Sequence, residues 1–155
     1  MTKKDRKNII LESLAGMLEE RNMSKVTTAL LAEKSGITEA ALYRHFPSKR
    51  SIYAELFSFC DDAIFAKCNE LKKNKMSAKD KTKNAFVFFM MFVEKNKGFA
   101  RLLSREALST NEQNVSDNVN QFYERFELIL RQILKEDAEN LTTQPGISAQ
   151  LIVTA

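Results

Sequence analysis

Apolar residues recur every three or four positions along almost the whole chain, which is the spacing of one face of an α-helix. This spacing predicts helices over about residues 4–20, 49–73, 78–95, 99–107 and 112–136. No run alternates apolar and polar residues as a half-buried strand would, and the sequence contains no glycine-rich nucleotide loop. The pattern therefore predicts an all-α protein.

The helix predicted over 78–95 contains an unbroken apolar run from Phe86 to Val93. Apolar residues on every side of a helix indicate burial, so we expect this segment to lie mostly in the core. Phenylalanine and methionine also line adaptable ligand cavities, and a small-molecule pocket under this helix is the alternative. Few polar groups there could orient a ligand, which favours core packing.

The segment from Thr27 to Phe46 predicts a helix-turn-helix. Ala32 is small enough for two helices to cross closely, and Gly36 can enter the left-handed backbone region that a tight turn needs. Thr38 is a good N-cap for a second helix over 39–46, which ends before Pro47. The side chains expected to form the buried apolar underside are Leu31, Ile37 and Leu42.

The second helix of this motif is expected to turn small and polar side chains outward, namely Thr38, Glu39, Ala40, Tyr43 and Arg44. A short exposed helix of this kind is shaped to enter the major groove of DNA. An ordinary helical corner inside a bundle is the alternative. Charge favours DNA, because residues 1–50 hold ten Lys or Arg against six Asp or Glu, whereas residues 51–155 hold fourteen of each.

The segment 39–49, EAALYRHFPSK, resembles the recognition-helix signature of TetR-type bacterial regulators. The resemblance implies a DNA-binding domain over 1–48 and a helical regulatory and dimerisation domain over 49–155. It also implies a homodimer that binds a palindromic DNA site. Family members continue into two final helices that pair the subunits. We therefore expect a truncated form with altered dimerisation and with partly exposed apolar residues near its end, at Ile147, Leu151 and Ile152.

Dispersed matches extend the resemblance to the nucleoid occlusion branch of this family. They lie at residues 27–29, at Glu94, Asn96 and Gly98, and over 120–126. Members of that branch bind chromosomal sites and inhibit assembly of the tubulin-like division protein FtsZ over the nucleoid. The resemblance thus implies a cytoplasmic, nucleoid-associated inhibitor of septum formation. A transcriptional repressor released by a small apolar effector is the alternative, and a helical adaptor that binds only protein is a third candidate.

Two groups of side chains are candidates for DNA contact. Hydroxyl, imidazole and ammonium groups can donate to phosphate, which indicates Thr27, Thr28, Tyr43, His45 and Lys49. The start of the second helix lies nearest the groove floor, where base edges would be met by Thr38, Glu39 and Ala40. Arg44 could reach either a guanine or a phosphate. Each role has a structural alternative: Glu39, for example, would favour the helix dipole without any DNA.

The resemblance also implies a docking groove for FtsZ between the fourth and fifth helices. The matching positions are Phe59, Lys67, Phe88, Lys95 and Asn96. Lys67 and Lys95 stand where arginines are usual, which keeps the charge but loses the bidentate contact with carboxylates, so a lower affinity is expected. The stretch from 67 to 83 contains seven lysines and only two acidic residues, Glu70 and Asp80. This patch either binds an acidic partner or is a solvated helix end.

Composition argues against other classes of function. His45 is the one histidine of the sequence, so no His-pair metal site and no histidine base beside a cysteine can form, and we expect neither an enzyme nor a cofactor. The apolar run 85–93 is too short to span a bilayer, so no membrane association is expected. Cys60 and Cys68, about 12 Å apart on one predicted helix, should be free thiols in a reducing cytoplasm.

Overall fold

The computed structural model describes residues 3–20, 26–105 and 113–136, and its elements in these ranges are all α-helices. They are α1 (Lys3–Glu19), α2 (Thr28–Lys34), α3 (Glu39–His45), α4 (Lys49–Lys73), α5 (Ala78–Lys95), α6 (Lys97–Leu103) and α7 (Gln113–Lys135). The predicted all-α fold is confirmed. The predicted exposure of Ile147, Leu151 and Ile152 concerns residues outside the described ranges.

The described residues fall into two compact units, one drawn from 1–60 and 93–118 and the other from 61–92 and 119–155. In the first unit, α1 packs against α2 and α6, and the two short helices α2 and α3 pack against each other. The fully buried side chains of this unit include Ile10, Leu14, Met17, Leu31, Leu42, Phe46, Ile52, Tyr53 and Phe99. The helix-turn-helix is therefore part of a packed core.

The contact between α1 and α6 depends on Gly98. A Cβ atom at this position would lie 2.7 Å from the carbonyl oxygen of Ala15, closer than packed atoms approach. Three residues later, the Arg101 guanidinium donates to the carbonyl oxygens of Leu18 and Glu20 at 2.9 and 3.0 Å. Since the last carbonyls of a helix have no partner within it, α6 completes the end of α1.

Lys7 links α1 to the end of α3 and to α4. Its ammonium lies 4.9 Å from the centroid of the Phe46 ring and 3.2 Å from the carboxylate of Glu55 on α4. Phe46 is the C-cap of α3 and is buried. A cation over an aromatic face is attracted to it, so this contact helps to fix where α3 ends.

The second unit has an aromatic core built around Phe122 of α7. The ring centroids of Phe65, Phe89 and Phe126 lie 5.5, 5.8 and 5.9 Å from that of Phe122. The guanidinium of Arg125 lies 3.9 Å from the Phe65 centroid and donates to Asp61 at 2.7 Å. Aromatic pairs at these distances add to the stability gained from burial alone.

The expectation that the apolar run of α5 lies mostly in the core is wrong. The side chains of Val87, Met90 and Met91 are 44, 50 and 50% exposed. Phe89, which contacts the α7 rings of Phe122 and Phe126, is itself only half-buried. An apolar run on every side of a helix is buried on every side only if neighbours surround it.

The lysine patch between 67 and 83 also differs from the expectation, because one member is not at the surface. Lys81 is 5% exposed and donates to the Lys72 carbonyl oxygen at 3.1 Å and to Glu136 at 2.5 Å. Lys67 pairs with Glu70, and Lys72 donates to Gln132. The exposed lysines of this stretch are Lys73, Lys75, Lys79 and Lys83.

None of the described helices is both long and apolar enough to cross a membrane.

Candidate nucleic-acid interface

The turn between α2 and α3 has the geometry that its sequence predicts. Gly36 has φ 66°, in the left-handed region that glycine enters without steric cost. Its N–H donates to the carbonyl oxygen of Glu33 at 3.0 Å. The N–H of Ile37 donates to the carbonyl oxygen of Ala32, also at 3.0 Å. These two bonds form a Schellman motif, which satisfies the last carbonyls of α2. The turn therefore fixes the direction in which α3 leaves.

Thr38 caps α3 as predicted, because its side-chain oxygen accepts from the Ala41 N–H at 3.2 Å. Leu42 is fully buried and Ala41 nearly so, whereas Ile37 is only half-buried. The expectation that Ile37 belongs to the buried underside is wrong, since a small pocket that it lines with Arg6 and Ile9 leaves part of its side chain accessible. The remaining face of α3 is exposed at Thr38, Glu39, Ala40, Tyr43 and Arg44.

Two candidate phosphate donors on α2 and α3 are already hydrogen-bonded to each other. The phenol of Tyr43 donates to the Thr28 hydroxyl at 3.4 Å, and the Thr28 hydroxyl donates to the carboxylate of Glu39. Thr27 precedes them as the N-cap of α2, accepting from the Leu30 N–H at 3.2 Å. This arrangement gathers Thr27, Thr28, Glu39 and Tyr43 on the exposed side of the corner.

His45 and Lys49 flank the end of α3. The Nδ1 atom of His45 is buried and has no hydrogen-bond partner among the described residues, so any contact with a ligand from this ring must come from Nε2. The ammonium of Lys49 lies 5.3 Å from the centroid of the buried Tyr53 ring. Both residues are half-buried, so part of each remains accessible.

The residues proposed to bind FtsZ are divided between the two compact units. In the first unit, Phe59 is 67% exposed, Lys95 is exposed and Asn96 is half-buried. In the second unit, Lys67 pairs with Glu70 at 2.8 Å, and the half-buried ring of Phe88 lies 6.0 Å from that of Phe92.

A cavity of about 220 Å³ lies in the first unit beside two of these residues, Phe59 and Asn96. Its other walls come from α1, α4 and α6, including Asn8, Leu11, Glu12, Ala15, Glu19, Leu56, Cys60 and Phe99. The contribution of α1 and α6 was not predicted from the sequence. The match at Gly98 was the one available signal, because Gly98 permits the close approach of these two helices.

Both cysteines are free, as predicted, and both are buried. Burial raises the pKa of Cys60 to about 12 and that of Cys68 to about 11, since a thiolate loses its hydration inside the protein. Neither thiol is therefore a nucleophile at neutral pH. Within the described ranges, no group of three or more His, Cys, Asp or Glu side chains could hold a metal ion.

Two family models match the chain. The first describes bacterial regulatory proteins of the tetR family and matches residues 10–56. The second is of the SlmA-like type, is described as a tetracyclin repressor-like C-terminal domain, and matches residues 78–153. The first of these matches contains the whole corner between α2 and α3.

Curated relatives and a solved structure agree with these matches. The nucleoid occlusion factor SlmA of Vibrio vulnificus is 38% identical over 135 residues, which are 86% of this chain and 69% of the relative. That of Salmonella dublin is 35% identical over 156 residues, covering 97% of this chain and 79% of the relative. A TetR-family transcriptional regulator from Agrobacterium tumefaciens matches with a TM-score of 0.77 at 16% identity, covering 97% of this chain and 82% of the other, a likeness of fold alone.

Proposed function

Because the chain belongs to the TetR family of bacterial regulators and, within it, to the nucleoid occlusion factors, we propose that it binds palindromic chromosomal sites as a homodimer and there inhibits assembly of FtsZ. The observation that carries the DNA-binding part is the corner between α2 and α3. Its Schellman turn and its Thr38 cap hold α3 with its polar face in solvent. An exposed second helix of this kind can enter a major groove.

Base reading is assigned to the start of α3. The Thr38 cap uses the hydroxyl oxygen as an acceptor, which leaves its proton for a purine acceptor, and the exposed Ala40 methyl suits a thymine methyl. Arg44, which is exposed one turn further along, can donate to guanine or to phosphate. These residues would give the protein its preference for particular sites.

Phosphate binding is assigned to the flanks of the same corner. Thr27 and Thr28 begin α2, and Tyr43, His45 and Lys49 lie around the end of α3. Contacts of this kind position a protein on the duplex without reading its sequence, and their strength falls with salt. The proposed division is a DNA-binding domain over 1–48 and a regulatory and dimerisation domain over 49–155, which the family-model matches at 10–56 and 78–153 support.

The DNA-binding proposal is tested by the salt dependence of Lys49→Ala. Removing one phosphate contact should weaken binding to every duplex and lower the slope of log K against log salt by about 1. Lys83→Ala removes an equally charged exposed side chain of the second unit and is the control. Equal slopes for Lys49→Ala and the parent would contradict the phosphate role of Lys49.

The FtsZ part of the proposal is supported by the exposure of Phe59, a large aromatic ring beside a cavity. Phenylalanine is enriched in protein interfaces relative to the rest of the surface. We expect FtsZ contact through Phe59, Lys95 and Asn96 in the first unit and through Lys67 and Phe88 in the second. Acting at chromosomal sites, the protein would be nucleoid-associated.

Sedimentation of FtsZ polymers in the presence of DNA tests this assignment. The parent protein should reduce the polymer that sediments, and Phe59→Ala should lose the effect while still binding DNA. Leu128→Ala, which truncates another exposed apolar side chain, should behave as the parent. Unchanged FtsZ assembly with the DNA-bound parent protein would refute the division role and leave the DNA-binding role standing.

A further inference from the structure

The hydrogen bonds between α2 and α3 use up the protons that a DNA phosphate would need. A hydroxyl has one proton to donate. The proton of Tyr43 is directed to Thr28, and that of Thr28 is directed to Glu39. In the free protein, therefore, two of the candidate phosphate donors point at other groups of the same corner.

The acceptor at the end of this chain is itself an anion. Glu39 is the first residue of α3 and Thr28 is the first residue of α2, so the carboxylate lies where the two helices begin. Tyr43 follows Glu39 by four residues and is on the same face of α3. A carboxylate and a phosphate both accept hydrogen bonds through charged oxygens, and the same donors serve either one.

We infer that the Glu39 carboxylate is a built-in competitor of the DNA backbone: it holds the Thr28 hydroxyl directly, and through it the Tyr43 hydroxyl, in the free protein, and it is displaced when a phosphate binds them. This inference rests on the proposed DNA-binding function. A displaced carboxylate beside phosphates is repelled unless a base amine, such as that of cytosine, donates a hydrogen bond to it. Glu39 thus weakens binding to duplexes that offer it no such partner.

The test compares Glu39→Gln with Glu33→Gln on a random-sequence duplex at fixed salt, by fluorescence anisotropy. Both replacements remove one negative charge from an exposed position of the same corner, and Glu33 lies on α2. If Glu39 competes with phosphate, Glu39→Gln should bind about fivefold more tightly than the parent, and Glu33→Gln less than about twofold. Thermal melting by circular dichroism confirms that both variants fold.

A second comparison isolates the hydroxyl. In a Thr28→Val background the carboxylate has no Thr28 proton to hold, so the advantage of Glu39→Gln should shrink to that of Glu33→Gln. An advantage that survives Thr28→Val, equal gains for the two glutamate variants, or weaker binding by Glu39→Gln would each overturn the inference. If neither the parent nor any variant binds duplex, the DNA-binding proposal itself fails, a result distinct from the other three.

Discussion

The short helix α3 buries the two apolar residues of its inner face almost completely, whereas the apolar stretch of α5 leaves several large side chains half exposed. Ala41 and Leu42 on α3 are 8 and 0% exposed, and Met90 and Met91 on α5 are both 50% exposed. Hydrophobic content alone does not separate the two helices. The two helices differ in whether the elements that pack against them lie close by or far away in the chain.

The neighbours of α3 are fixed by groups close to it in the chain. The turn at Gly36, the cap at Thr38 and the packing of α2 against α3 all form within about one helical hairpin. The neighbours of α5 come from far along the chain, since Phe89 packs on Phe122 and Phe126 of α7. Local geometry can thus be inferred from nearby residues. The burial of a helix, by contrast, depends on which distant elements pack against it.

The largest expected effect is a direct test of this contrast. Leu42→Ala should lower the free energy of unfolding by about 2–5 kcal/mol, because a fully buried side chain leaves a cavity. Met91→Ala should cost only about 0.5 kcal/mol or less, since its side chain is half in solvent. Urea unfolding followed by circular dichroism measures both. A cost for Met91→Ala as large as that for Leu42→Ala would contradict the description of α5.

The same contrast explains what could be read from the sequence. The bounds of α4 and α5 follow from spacing, and the Gly36 turn and Thr38 cap follow from residues whose local conformational preferences are strong. The burial of Lys81 could not be inferred, because its partner Glu136 is distant in the chain and no residue near Lys81 in the sequence indicates the pair. The orientation of Glu39 toward Thr28 depends likewise on how two helices cross.

The glycines provide a second test, of intermediate size, because each of three positions meets a different constraint. Gly98→Ala should cost about 1–3 kcal/mol, since the new Cβ would meet the Ala15 carbonyl oxygen, a contact from another helix. Gly36→Ala should cost about 1–2 kcal/mol for a purely local reason, its positive φ. Thermal and urea unfolding of the two variants measure both costs.

Gly16→Ala is the matched control for both. Gly16 lies inside α1, has no positive φ, and a Cβ there would meet nothing within 4 Å. Alanine should therefore stabilise the helix by about 0.5–1 kcal/mol. Destabilisation by Gly16→Ala of the size expected at Gly98 would mean that the described packing of α1 is wrong.

A smaller effect is expected from the buried lysine of the second unit. Glu136→Gln should lower the free energy of unfolding by about 1–2 kcal/mol, because it leaves the buried Lys81 ammonium without its counterion, although partial exposure of Glu136 screens the pair. Glu70→Gln, which breaks the more exposed pair with Lys67, should cost less than about 1 kcal/mol. Similar costs at both sites would argue that Lys81 is hydrated.

The smallest effect is a pH dependence that originates at Asp61. Burial raises the pKa of this carboxyl above its ordinary value of 3.8, and the hydrogen bond and charge of Arg125 oppose the rise only in part. The folded protein then binds the Asp61 proton more tightly than the unfolded chain does. The stability contributed by this group therefore falls as the pH rises from the unfolded pKa through the raised folded pKa.

Asp61→Asn removes this titration, so the unfolding free energy of the parent relative to the variant should decrease as the pH is raised from below 3.8 through the raised folded pKa. Arg125→Gln provides the opposing variant: without the guanidinium, burial acts alone, the pKa of Asp61 rises further, and the decrease should become steeper. Urea unfolding at several pH values measures both trends. A difference between parent and Asp61→Asn that grows with pH would mean that the ion pair with Arg125 outweighs desolvation. Asp61 would then stabilise this unit through its charge, and the rise in its pKa would be wrong in sign.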